Sequence, residues 1–189
     1  CIAFVDTAFE QIDEPIESVP LVASISRMAT TAGGRTGGTI LALMVIILAG
    51  RRWKQITCNV VAGIAVQTST VQVLKHLTGR PRPADFDGLT VFYGPGTDFH
   101  SFPSSHAAFA FMLAIVAAAY FPRWRWLAYG GAIIIALARV MLDRHFISDI
   151  MVGAFIGYMA AYLVLRWWPP RESGGETQET VSSSELSVS

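Results

Sequence analysis

Apolar positions in this chain gather into long windows free of charge, and polar positions gather between them. The windows are Thr36–Gly50, Ile56–Leu74, Ala107–Pro122, Trp126–Ala138 and Ile150–Leu165. Each is a little shorter than the roughly 20 residues that span a hydrocarbon core as helix, and apolar flanks lengthen most of them. One such window suits a buried core helix. Five leave too little polar chain to solvate a globule, so the pattern predicts an all-α, integral membrane helical bundle with five evident spans. Ahead of them, residues 1–20 intersperse Asp6, Glu10, Asp13, Glu14 and Glu17 among Ile2, Phe4, Phe9, Ile12, Ile16 and Val19. That reads as the end of an apolar stretch followed by an amphipathic, interfacial segment.

The polar intervals divide the chain. Residues 1–35 hold the possible end of a first span and the interfacial segment, residues 36–168 the membrane domain, and residues 169–189 a serine- and glutamate-rich tail of disordered composition. Residues 76–102 form the longest connection, rich in Pro and Gly, and a loop of that length inside a compact domain is usually functional. Trp124 and Trp126, flanked by Arg123 and Arg125, read as an interfacial anchor. Gly153 and Gly157 form a small-xxx-small pair suited to close helix packing, within the chain or between chains.

Composition agrees. Of 189 residues, 52% are hydrophobic and 15% charged, against about 25% charged in soluble domains. The formal net charge is zero, so no broad basic face for nucleic acid is present. The two cysteines, Cys1 and Cys58, permit at most one bridge and indicate no redox compartment; Cys1 is read as a fragment boundary ahead of a lipidated terminus. Followed through five spans, Arg51, Arg52, Lys54, Arg123, Arg125, Arg166 and Arg171 fall on one side, which the positive-inside rule makes cytoplasmic. The 76–102 loop, the start of the third window and residues 139–149 then face the periplasm or exterior.

Three polar clusters share that outer side: LKHLTGRPRP with Lys75, Arg80 and Arg82; PSSH with Ser104, Ser105 and His106; ARVMLDRHFISD with Arg139, His145 and Asp149. Charges beside membrane helices are costly unless paired or functional. Cations, hydroxyls and two histidines suggest an anion pocket, with phosphate its natural occupant. Pro103 suits a helix start that Ser104 or Ser105 would cap, leaving first-turn N–H groups for an anion. His145 and Asp149 are four apart, on one helix face if the helix has begun. A carboxylate on one ring nitrogen fixes the tautomer and leaves the other as nucleophile, with His106 as acid on the leaving oxygen. Singly, each residue has a plainer reading: a histidine as helix cap, Arg139 with Asp143 as a helix-surface pair, Arg80 and Arg82 as headgroup contacts. The three clusters on one face argue against the plain reading of all of them together.

These residues resemble the type-2 phosphatidic acid phosphatase superfamily, which includes lipid phosphate phosphatases, bacterial acid phosphatases and vanadium haloperoxidases. Its K-x6-R-P motif is matched by Lys75, Arg82 and Pro83, its P-S-G-H by Pro103, Ser104 and His106, and its S-R-x5-H-x3-D by Arg139, His145 and Asp149. The likeness extends over roughly residues 36–168. It implies a phosphohistidine mechanism without metal or other cofactor. His145 would attack phosphorus, Asp149 would orient it, and His106 would protonate the leaving oxygen. Lys75, Arg82, Ser104 and Arg139, with the N–H of Ser105, would hold the phosphate. Arg80 lies outside the motif and receives no role. Ser105 stands for the family glycine and Ala138 for the serine before Arg139, which implies a tuned site. Membrane members have six spans, so Cys1–Val5 would be the end of the first. A lipid phosphate or pyrophosphate is the implied substrate, among them undecaprenyl pyrophosphate, phosphatidylglycerol phosphate, phosphatidic acid and lipid A phosphates. Vanadate-dependent halide oxidation and a non-catalytic lipid-binding or transport protein remain as alternatives. Oligomeric state is not legible.

Overall fold

The computed structural model describes residues 20–86 and 91–170. The expected segment before residue 20, Cys1 included, and most of the tail lie outside the described residues. Six α-helices are described: α1 Pro20–Gly33, α2 Arg35–Leu48, α3 Trp53–Thr78, α4 Ser105–Tyr120, α5 Arg125–Met141 and α6 Ile147–Trp167, with no strand among the described residues. Short 3₁₀ turns at Gly50–Arg52, Pro83–Asp85 and Pro122–Trp124 join or precede them. Every charge-free window became a helix.

Helix length and composition alone do not reproduce the expected five spans. Two helices, α3 and α6, are long and apolar enough to cross a membrane unaided; α1 and α2, bent by 63° at their junction, make a third crossing if taken together. The α4 helix has 16 residues, about 24 Å at 1.5 Å per residue, against a hydrocarbon core of about 30 Å. The chain turns early there because Pro122 opens a new 3₁₀ turn directly after it. The helix is instead the centre of the bundle: Ala107, Ala108, Met112 and Val116 are fully buried. Large apolar side chains sit on the outside, including Ile47, Val61, Val73, Ile134, Met151 and Phe155, each more than half exposed. Apolar side chains facing outward suit a solvent of lipid tails.

Small residues set the spacing of the core. A Cβ built on Gly153 would collide with the backbone oxygen of Ser104, and one on Gly157 with that of Ala108. The α4 and α6 backbones therefore touch, and the glycine pair serves packing within the chain. At one end of the bundle Asn59 on α3 donates to the Tyr120 hydroxyl and to the Trp168 carbonyl, at 2.9 and 3.0 Å. Arg52, Trp124 and Trp167 belong to this end. At the other end the Ser104 N–H donates to the Asp149 carbonyl at 3.0 Å, tying the start of α4 to the start of α6.

Candidate active site

The site is built at that second end. The α3 helix stops at Gly79, whose φ of +56° is left-handed. A side chain there would strike the carbonyl of Gly94, so only glycine fits. The turn sends Arg80 back into the bundle while Lys75, one turn earlier, stays on the inner face of α3. Lys75 is buried, and its Nζ donates to the carbonyl of His100 and, at 3.4 Å, to that of Ser101. Two charge-to-backbone bonds hold the ammonium at the pocket without neutralising it.

Ser104 occupies the N-cap position of α4, in extended conformation, but its hydroxyl caps nothing. Its Oγ is wholly buried and has no hydrogen-bond partner. The side-chain cap expected from Ser104 or Ser105 is therefore absent, and the first-turn N–H groups of Ser105, His106 and Ala107 lack intrahelical acceptors. Leaving a buried hydroxyl unpaired costs about 1–3 kcal/mol, which a bound oxyanion would offset. Arg139, near the end of α5 and buried, likewise has an unpartnered Nε.

His145 lies between α5 and α6 and is 5% exposed. Its Nδ1 is 3.4 Å from Oδ2 of Asp149, in the first turn of α6. That is long for a charge-assisted bond, which runs nearer 2.7–2.9 Å. Burial pushes the imidazole below its usual range, against the opposing pull of Asp149. A neutral ring with Nδ1–H toward the carboxylate would leave Nε2 bearing the lone pair.

His106, half-buried on α4, lies within electrostatic reach of Arg139, His145 and Lys75. Arg82 is exposed and lies within reach of both Lys75 and Arg139. Positions Gly33 and Gly34, at the elbow between α1 and α2, come against the His106 ring; a Cβ on Gly33 would be 3.3 Å from its Cδ2. The structure therefore brings together Lys75, Arg82, Ser104, His106, Arg139, His145 and Asp149, with Ser105 on the same first turn of α4. Among the described residues no three His, Cys, Asp or Glu side chains are grouped to hold a metal ion.

Two further residues belong to the cluster. Arg80, 2% exposed, pairs through Nη1 with Asp149 Oδ1 and donates to the Ser148 hydroxyl, both at 2.6 Å. Ser101, fully buried, donates through Oγ to Asp149 Oδ2 at 2.6 Å. The motif spacing passed over both. A local signal existed for Arg80, since a Gly just before it and a Pro just after it fix its direction.

A bundle of helices with apolar side chains on its outside and a buried, charged cluster at one end is the architecture of an integral membrane protein. The sequence model of the PAP2 superfamily matches residues 56–173, and the chain belongs to that superfamily. It is 27% identical over 157 residues to a lipid A 1-phosphatase of Porphyromonas gingivalis, covering 81% of this chain and 30% of that protein. It is 24% identical over 119 residues to an undecaprenyl-diphosphatase of Sulfolobus acidocaldarius, covering 62% of this chain and 58% of the relative. The chain thus spans between about a third and three fifths of these relatives. The crystal structure of a transmembrane PAP2 type phosphatidylglycerolphosphate phosphatase from Bacillus subtilis shares the fold, with a TM-score of 0.55 at 19% identity over 88% of this chain and 91% of that one.

Proposed function

We propose that this protein is a membrane phosphatase that removes phosphate from a lipid phosphate or pyrophosphate through a phosphohistidine intermediate, without a metal. The observation that carries the reading is the buried His145–Asp149 pair facing a group of cations and an unpartnered Ser104 hydroxyl. Nε2 of His145 attacks phosphorus and the bond to the lipid oxygen breaks. His106 gives that oxygen its proton, then takes one from the water that attacks the phosphohistidine. Phosphate leaves and both histidines return to their starting states. Lys75, Arg82, Arg139, Ser104 and the first-turn N–H groups stabilise the charge on the transferring oxygens.

A lipid substrate is supported by an apolar cavity of about 730 Å³ between α2, α4 and α5, lined by Leu41, Phe109, Leu113, Leu127 and Ile135 among others. Phe109 is one helical turn from His106, so a tail beside α4 would leave its headgroup at the histidines. The named activities of the relatives agree with this class. The site faces the outer side and the carboxyl terminus the cytoplasm, because Arg51, Arg52, Lys54, Arg123, Arg125 and Arg166 collect at the opposite end of the bundle.

The test is phosphate release from a short-chain isoprenyl diphosphate and from phosphatidic acid, by detergent-purified protein in EDTA, with His145→Ala as control. EDTA-resistant release that vanishes in the variant is expected, and the two rates rank the substrate classes. Release that persists in His145→Ala would overturn the mechanism.

A further inference from the structure

We infer that Arg80 and Ser101 act as a clamp on the two oxygens of Asp149, and that this clamp positions the His145 ring for attack. The inference rests on the phosphohistidine reading only for its kinetic consequences; the geometry is independent of it.

The two residues grip opposite oxygens. Arg80 Nη1 takes Oδ1 at 2.6 Å, and Ser101 Oγ takes Oδ2 at 2.6 Å. They are also tied to each other, since the Ser101 N–H donates to the Arg80 carbonyl at 2.9 Å. The two ends of the 80–101 loop thus close on one carboxylate from both sides. Phe146 completes the enclosure. Its N–H donates to Oδ2 at 3.2 Å, and its ring lies 4.1 Å from the Arg80 guanidinium carbon. A carboxylate held at both oxygens cannot rotate about its terminal bond, so Oδ2 stays turned toward Nδ1 of His145.

The clamp also reaches the phosphate side. Lys75 donates to the carbonyls of His100 and Ser101, so the backbone that carries the Ser101 hydroxyl is anchored by a residue facing the phosphate. The Ser101 Oγ lies 3.4 Å from Nδ1 of His145 as well as 2.6 Å from Oδ2. It therefore fixes the distance between ring and carboxylate. As the ring gains positive charge on attacking phosphorus, the 3.4 Å bond to Asp149 has room to shorten.

Arg80 and Ser101 are positioning residues, since each acts through Asp149. Two readouts separate that role from mere folding. The first is NMR titration of the labelled histidine rings in the full chain in detergent, with His145 identified by its loss in His145→Asn. Removing the Arg80 cation leaves the Asp149 charge less offset, so in Arg80→Met His145 takes up its proton at a pH about one unit higher. Arg80→Lys keeps the charge and stays near the wild-type midpoint. The second is kinetic: kcat falls about 100-fold in Arg80→Met, the scale of a misplaced reacting group, with KM within about threefold. Arg80→Lys recovers part of that loss, and Ser101→Ala loses about tenfold in kcat. A His145 midpoint and a kcat both unchanged in Arg80→Met would overturn the clamp. If that variant does not fold, wild-type kcat in both Arg80→Lys and Ser101→Ala would do so. If the wild-type protein releases phosphate from neither lipid, the phosphatase reading fails, while the titration still decides the clamp.

Discussion

The two halves of the site differ in how completely the protein satisfies its own polar groups. Around Asp149 each carboxylate oxygen is occupied, by Arg80 on one side and by Ser101, Phe146 N–H and His145 on the other. Across the pocket the Ser104 hydroxyl and the Arg139 Nε are buried with no partner. Buried polar atoms are paired in the large majority of cases, so the contrast carries information. The Asp149 carboxylate itself is satisfied by the chain alone at both oxygens and holds a geometry. The serine–arginine half is finished by something else, and its donors suit an oxyanion.

The sharpest way to break this contrast is at the residue between the halves. His145→Ala is expected to reduce turnover by more than about a thousandfold, since the nucleophile proposed above would have no substitute. Its helical content should be unchanged by circular dichroism. Gly157→Leu should come next, because its side chain has to displace the α4 backbone. A melting experiment in detergent should show about 3 kcal/mol or more of destabilisation.

The two serines then test the contrast directly. Ser104→Ala should lower kcat/KM about 10- to 100-fold, the worth of one hydrogen bond to a charged oxygen. Its thermal stability should be equal to wild type or higher, because a buried unpaired hydroxyl is removed. Ser101→Ala should lower stability by about 1–3 kcal/mol, because it strips a partner from a buried carboxylate. Equal melting temperatures for the two variants would end the distinction. Inorganic phosphate or vanadate should raise the melting temperature of the wild type, by about 2.7 kcal/mol at one hundred times its Kd. Arg139→Met should weaken that gain, while Arg82→Met, at an exposed position, should weaken it less. The smallest expected effect is on pH. The competent form of His145 is neutral and burial lowers its pKa. The acid limb of kcat/KM should therefore fall below the ordinary histidine value of about 6.5, and an acid limb above it would contradict the burial.

The helices were legible because they are runs without charge, and such runs can be read one window at a time. The His145–Asp149 pair was legible for the same reason: an i,i+4 spacing brings side chains together with no help from the rest of the chain. Arg80 was not, because its partner is 69 positions away and reaches it across a loop with no periodicity. Ser101 sits just outside its motif and looks like loop. Ser104 was identified as a site residue but given a capping bond that its hydroxyl does not make. Each of the five windows became a helix, while length and composition alone single out two helices, or three with the bent pair, as long and apolar enough to cross. Pro122 and the left-handed Gly50 end their helices sooner than hydropathy does.

The two pinch points of the long loop have one more consequence. Tyr93 and Gly94 donate to the carbonyls of Gly79 and Thr78, and Ser101 donates to that of Arg80. Phe86 returns as well, its ring 5.7 Å from that of Phe146 at the start of α6. The ends of the loop are therefore fixed by these contacts and not by the number of residues between them, since doubling a loop whose ends are already held costs only about 0.6 kcal/mol in closure entropy.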